Sequence, residues 1–219
     1  MCGILGFFGE KNTLNKNIFE EALSVLSHRG PDDYGTYYKD GIFMGHRRLS
    51  IIDLSQAGRQ PMVDKSSGVV ITFNGEIYNY IELRKKLEIK KYKFFTETDT
   101  EVLIKSYLEW GSDCVKHFNG MWAFALWDPR KNIVFFSRDR FGVKPFYYNY
   151  ESKKEFYFAS EPKAINKIIG SQTVNKKALF NFVVYGNHYN SNMSYYENIS
   201  VLPPSNCGIY NMDNNKIKI

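Results

Sequence analysis

Four short runs rich in aromatic and β-branched side chains, at residues 122–127, 133–137, 146–150 and 156–159, are broken by Asp128-Pro129 and Gly142. Such runs read as strands, and connections this short join antiparallel neighbours, because a parallel pair needs a crossover of a dozen or more residues. Upstream, residues 2–9 form an apolar, glycine-bounded segment that predicts a buried strand. Further strands are predicted at 34–38, 42–45 and 69–73, the last reading Val69-Val70-Ile71-Thr72-Phe73. Ile18, Ala22, Val25 and Leu26 lie at helical spacing within 16–27, and Gly30-Pro31 stops that helix. Thr98 with Glu101 three residues later predicts a capping box, opening a helix whose apolar face is Leu103, Tyr107 and Trp110. Helices at about 161–169 and 176–185 follow. Strands and helices arranged in blocks predict an α+β layered fold with antiparallel sheets rather than a doubly wound parallel one. With no internal repeat, low-complexity stretch or linker, residues 1–219 read as one domain.

Composition narrows the function classes. A chain of 219 residues that is 43% hydrophobic and 16% aromatic can bury a sizeable core. No apolar run approaches the roughly 18 residues that span a bilayer, and the start lacks the charged and apolar regions of a secretory signal, so a soluble cytoplasmic protein without a membrane partner is expected. Cys2, Cys114 and Cys207 are odd in number and far apart, which argues against a disulfide framework and against a structural metal site. The net charge of +6 comes from short mixed runs such as Lys85-Lys86 and Lys90-Lys91 beside Glu82, Glu88 and Glu97, the pattern of a solvated face rather than of a nucleic-acid-binding one. His46, His117 and His188 carry no ligand spacing and read as structural.

Several segments permit chemistry. Removal of Met1 would leave Cys2 with a free α-amine beside its thiol, and a model amine near 7.7–8.0 can exchange a proton with a model thiol near 8.5. Such pairing is one way to activate a weak nucleophile. Asn74-Gly75-Glu76 follows the apolar strand 69–73. There the Asn74 amide and the Gly75 N–H could form an oxyanion hole, glycine letting the backbone approach closely; an ordinary Asn-Gly turn is the other reading. Arg48, in Arg47-Arg48-Leu49-Ser50, and Asp99, at the head of a helix, could hold the two ends of a zwitterion, or be a surface cation and a helix-terminal carboxylate. His28-Arg29-Gly30-Pro31-Asp32 reads locally as a helix end and rigid turn.

Together with Cys2-Gly3-Ile4-Leu5-Gly6, Arg48-Leu49-Ser50-Ile51-Ile52-Asp53, Asn74-Gly75-Glu76-Ile77-Tyr78-Asn79 and Thr96-Glu97-Thr98-Asp99-Thr100-Glu101, the chain resembles the N-terminal-nucleophile (class II) glutamine amidotransferases. The Arg-Gly-Pro-Asp segment, the 48–53 stretch and Arg138-Asp139-Arg140-Phe141-Gly142-Val143-Lys144-Pro145 resemble glutamine-dependent asparagine synthetases in particular. The resemblance implies a four-layer αββα sandwich of two antiparallel sheets. It implies Cys2 as nucleophile with its α-amine as base, and Asn74 with the Gly75 N–H as oxyanion hole. Arg48 would take the α-carboxylate of L-glutamine and Asp99 the α-ammonium, with Glu76 and the Ile51 and Ile52 backbone completing the pocket. No cofactor is implied for this domain; ATP and Mg belong to a C-terminal synthetase domain, which would use the ammonia to make asparagine from aspartate.

The resemblance also sets Arg29, Met121 and Val143 near the mouth of an ammonia tunnel, against a local reading of cleft support for Arg29 and core packing for Met121 and Val143. Where the family carries Leu-Pro-Pro-Gly, this chain reads Leu202-Pro203-Pro204-Ser205, taken as a loop change distant from the nucleophile. No glycine-rich phosphate cradle occurs in these residues. The expectation is therefore the ammonia-producing half alone. Alternatives are a glutaminase serving another carboxylate or a sugar acid, and a catalytically silent glutamine-binding domain. A homodimer is the assembly to test.

Overall fold

The computed structural model describes residues 1–50, 55–151, 155–170, 173–186 and 193–219. One sheet takes the order β10 (Ser200–Val201), β8 (Tyr147–Glu151), β9 (Glu155–Ala159), β1 (Gly3–Phe8), β3 (Ile42–Arg48), β2 (Asp33–Lys39). The other runs β12 (Lys216–Lys218), β11 (Cys207–Asn211), β7 (Ile133–Arg138), β6 (Gly120–Asp128), β5 (Val70–Ile77), β4 (Met62–Val63). Every named pairing is antiparallel.

The period-two alternation of strands builds the layers. On β1, Ile4 and Phe8 join the core between the sheets, whereas Leu5 and Phe7 pack outward with Phe19 and Leu23 of α1 (Lys16–Ser24) and Ala164 and Ile165 of α4 (Pro162–Ile169). On β5, Val70 lies between the sheets, and Ile71 and Phe73 face Leu83 and Leu87 of α2 (Tyr80–Ile89) and Leu103 and Tyr107 of α3 (Asp99–Trp110). Thr72 donates across the gap to Gly45 O at 3.1 Å. The result is the α+β sandwich of four layers, helices outside two antiparallel sheets. A side chain on Gly6 would meet the Phe158 ring at 2.1 Å, so the bare backbone there lets that ring pack flat over β1. A fifth helix, α5 (Lys176–Tyr185), leaves Phe180, Val183, Val184 and Tyr185 exposed.

Several boundaries differ from the sequence expectation. Helix α1 stops at Ser24, ahead of the turn that reaches Gly30. Strand β3 runs to Arg48 because its pairing with β1 and β2 continues to that end, through Gly3↔Arg47 and Asp33↔Arg48. Strand β5 does not end at Phe73: Asn74, Gly75 and Glu76 are strand residues opposite Ala123, Trp122 and Met121, and α2 begins only at Tyr80. Pairing with β6 overrides the turn propensity of Asn-Gly. Helix α2 is the helix expected to follow Ile77-Tyr78-Asn79, whereas strands β4, β10, β11 and β12 were not expected. The cap at Thr98 is half a capping box. Its hydroxyl accepts from Glu101 N at 3.2 Å, but the Glu101 carboxylate turns to the N–H groups of Phe95 and Thr96.

Candidate active site

Because β1 and β3 are antiparallel, the residue before β1 comes beside the last residue of β3, which sets Cys2 next to Arg48. From the facing sheet, the even-numbered residues of β5 that continue the inward face of Val70 and Thr72 are Asn74 and Glu76. These side chains meet at one end of the inter-sheet space, around a cavity of about 180 Å³ lined by Cys2, Arg48, Asn74, Gly75 and Glu76 and also by Met1, His46, Gln60, Met121 and Lys144.

Cys2 Sγ accepts from Leu49 N at 3.4 Å, and the Cys2 carbonyl accepts from Arg29 Nε at 2.9 Å. Arg29 is in turn fixed by Glu161, whose Oε1 accepts from Arg29 Nη1 at 2.9 Å and lies 2.9 Å from His28 Nε2. Burial pushes the Cys2 thiol up, against the Leu49 N–H, the terminal amine, Arg48 and Lys144, which pull it down. Burial also pushes the terminal amine down, and Arg29 and Lys144 add to that. With Met1 in place that amine is Met1's, and the Cys2 nitrogen is an amide.

Asn74 is buried, and its Nδ2 has no hydrogen-bond partner among the described residues. A buried donor left unpaired costs roughly 1–3 kcal/mol, and this one, in the wall of a cavity, is free to donate to an acceptor there. Gly75 also has a structural reason to be glycine. A Cβ there would meet Met121 O at 2.2 Å, so glycine permits close pairing with β6.

Arg48 is buried and donates through Nη1 to Ser55 O at 2.9 Å. Asp99 does not line the cavity, although Thr98 and Thr100 on either side of it do. It is 5% exposed and its Oδ2 accepts from Ile77 N at 3.0 Å. Burial, with Glu76 adding to it against the Ile77 N–H, pushes the Asp99 carboxyl up to about 6. Ile51 and Ile52 lie outside the described residues, as does His188.

Sequence reasoning missed four neighbours. His46, read as structural, does border the cavity: its Nε2 lies 3.1 Å from Phe73 O, and burial holds it neutral with a value near 4. Gln60 accepts from Phe73 N at 2.7 Å and donates to Thr100 at 3.3 Å, tying β5 to α3. Lys144 had a signal only as a member of the 138–145 segment, and Glu161 only as the start of the helix expected at about 161–169. Val143, expected in the core, is 53% exposed because the Asp139 carboxylate holds the Val143 and Lys144 N–H groups and turns the loop outward. Ser205 is not among the residues that line the cavity; its N–H donates to Asp139 O at 2.8 Å, and its φ of 62° lies in the region that favours glycine. His117 stacks on Trp110 with centroids 4.2 Å apart, away from the cavity lining. Among the described residues no group of three or more His, Cys, Asp or Glu side chains is placed to hold a metal, and no helix is long and apolar enough to cross a membrane.

The glutamine amidotransferase domain family matches residues 1–218. A Methanocaldococcus jannaschii protein provisionally named asparagine synthetase 2 (glutamine-hydrolyzing) is 39% identical over 239 residues, covering all of this chain and 45% of that protein. Asparagine synthetase 3 (glutamine-hydrolyzing) of Bacillus subtilis is 45% identical over 169 residues, covering 75% of this chain and 27% of that protein. The chain thus spans less than half the length of these relatives. The glutamine phosphoribosylpyrophosphate amidotransferase structure from Bacillus subtilis superposes with a TM-score of 0.70 at 18% identity, over 99% of this chain and 49% of that one, a likeness of fold. With the family match running from the segment that carries Cys2 to the last strand, this chain belongs to the glutamine amidotransferase domain family.

Proposed function

We propose that this domain hydrolyses L-glutamine to glutamate and ammonia through a thioester on Cys2. The observation that carries the reading is the buried, unpartnered Asn74 amide in the wall of the cavity that holds the Cys2 thiol. With Met1 removed, Sγ attacks the γ-carbonyl carbon while its proton passes to the α-amine, and the carbonyl oxygen becomes an oxyanion facing Asn74 Nδ2 and the Gly75 N–H. Collapse breaks the C–N bond, and the α-ammonium returns the proton to the leaving ammonia. Water, deprotonated by the same amine, then attacks the thioester through a second oxyanion and releases glutamate and the thiol. Arg48 pairs with the substrate α-carboxylate. Glu76 in the cavity wall, with Asp99 behind it between Thr98 and Thr100, supplies the negative charge for the α-ammonium, and the resemblance assigns the Ile51 and Ile52 backbone to the same pocket.

In the whole protein the ammonia would serve a C-terminal synthetase domain that uses ATP and Mg to convert aspartate to asparagine, as the names of the relatives suggest. The exposed apolar face of α5, with Phe180, Val183, Val184 and Tyr185, suits a surface covered by such a domain. A cytoplasmic location and a homodimer are part of the proposal, for cell fractionation and sedimentation to test.

The decisive experiment joins intact mass with glutamate release from glutamine, using Cys2→Ala as control. Loss of one methionine mass with release that disappears in Cys2→Ala is the expected result. A processed chain that releases no glutamate, alone or joined to its synthetase half, would leave a silent glutamine-binding domain.

A further inference from the structure

Lys144 stands apart from the other charged residues of the cavity. It is 6% exposed, lines the cavity beside Cys2 and Glu76, and its ammonium forms no hydrogen bond or ion pair among the described residues. Its backbone, by contrast, is held at both ends: the N–H donates to Asp139 Oδ2 at 2.9 Å and the carbonyl accepts from Arg138 Nε at 2.8 Å. Asp139 is fully buried and also accepts from Phe141 N and Val143 N, both at 3.0 Å, so the loop is rigid and the lysine's origin is fixed. The stem of Lys144 is buried and its ammonium opens into the cavity that holds Cys2, so a rigid loop sets a standing positive charge in the space where an anion would form.

We infer that Lys144 is the standing cation of this cavity and that its ammonium stabilises the Cys2 thiolate formed when the proton leaves Sγ. The inference rests on the glutaminase reading for its role in turnover, but the electrostatic claim stands on geometry. The charged groups facing Lys144 are Cys2, Arg29, Asp139 and Glu76, and those facing Cys2 are the terminal amine, Arg48 and Lys144. Of these three cations, the amine must be neutral to act as a base. Arg48 is neutralised once it pairs with the substrate α-carboxylate, and the α-ammonium offsets one of the two carboxylates Glu76 and Asp99. Arg29 is compensated by Glu161. Lys144 has no ion-pair partner of its own among the described residues, so its charge stays directed at the cavity through the reaction.

The test reads the thiol directly. The processed chain is alkylated with iodoacetamide across pH 6–10, and modification of Cys2 is followed by peptide mass so that Cys114 and Cys207 do not contribute. Lys144→Met should alkylate about three- to tenfold more slowly near pH 7 and converge with the parent at high pH, the behaviour of a thiol that has lost a nearby opposite charge. Lys144→Arg, which keeps the charge, should follow the parent profile. Should Lys144→Met not fold by circular dichroism, Lys144→Gln, which retains most of the stem, takes its place. Superimposable profiles for the neutral variant and the parent, or an equal shift in Lys144→Arg, would overturn the inference. Glutamate release by the parent keeps the two readings separate: release without an alkylation shift leaves the glutaminase standing and removes Lys144, and a shift without release does the reverse.

Discussion

The space between the two sheets has two ends built on opposite principles. Where β1 finishes, Phe8, Phe136, Phe146, Phe156, Phe158 and Tyr210 are fully buried. There Phe136 stacks on Phe146 at 5.3 Å with planes 7° apart, Phe146 on Phe158 at 5.4 Å, and Phe156 on Tyr210 at 5.2 Å. Where β1 begins, the inward side carries Cys2, Arg48 from β3 and Asn74 and Glu76 from β5, and Lys144 joins them from a loop. One end gains from burying apolar rings and leaves little unmatched; the other holds polar groups out of water with partners withheld. The ends are joined through residues 144–146, because Phe146 enters the aromatic stack two residues after Lys144 reaches the cavity. The comparison teaches that the aromatic end supplies the rigidity that keeps an unfavourable polar arrangement in place.

The contrast fails if substitutions at the two ends have the same kind of effect. Phe136→Ala should lower stability by about 3–5 kcal/mol, read by chemical denaturation, while the turnover of the molecules that remain folded is nearly unchanged. Asn74→Ala should do the opposite, lowering kcat for glutamate release by about 100- to 1,000-fold with no fall in Tm, because the lost amide had no partner to lose. Comparable Tm losses in both variants would erase the distinction.

Asp99 sharpens it further. Its folded value of about 6 lies above the ordinary 3.8, so the folded state holds the proton more tightly and stability falls as pH rises from about 4 to 6, with the full penalty present above that. Asp99→Asn should therefore stabilise the chain at pH 8 by an amount on the order of 3 kcal/mol and leave it unchanged near pH 3. The same variant should raise KM for glutamine and remove the rise in KM that the parent shows as pH drops below about 6. A melting curve that moves equally at both pH values would contradict the assignment. The smallest effect is expected at Ser205, where the left-handed backbone strains a residue with a Cβ. Ser205→Gly should gain about 1 kcal/mol or less, read as a small rise in Tm.

Much of the frame was legible because strand patterning is local. The continuous apolar runs at 2–9, 122–127 and 133–137 reflect strands covered on both faces, one by the rings between the sheets and one by helices. Boundaries were not legible where pairing decided them. Asn74-Gly75 looks like a turn in isolation and is a strand only because β6 lies beside it, and β3 extends to Arg48 because β1 and β2 pair with its end. The apolar residues of α5 could be seen at helical spacing, but their exposure depends on what the fold leaves uncovered.

By itself the sequence determined the candidate residue types and their order: a thiol near the terminus, an amide after an apolar strand, an arginine and an aspartate at element ends. Those are properties of single residues and short spacings. Tertiary structure decided the rest. It left the Asn74 amide without a partner, pushed Asp99 upward by burial beside Glu76, fixed Arg29 on Glu161 and brought Lys144 to the thiol from a loop 142 residues further along the chain. Pairing and desolvation depend on what lies within a few ångströms, and distance in space is the quantity that a linear spacing does not carry.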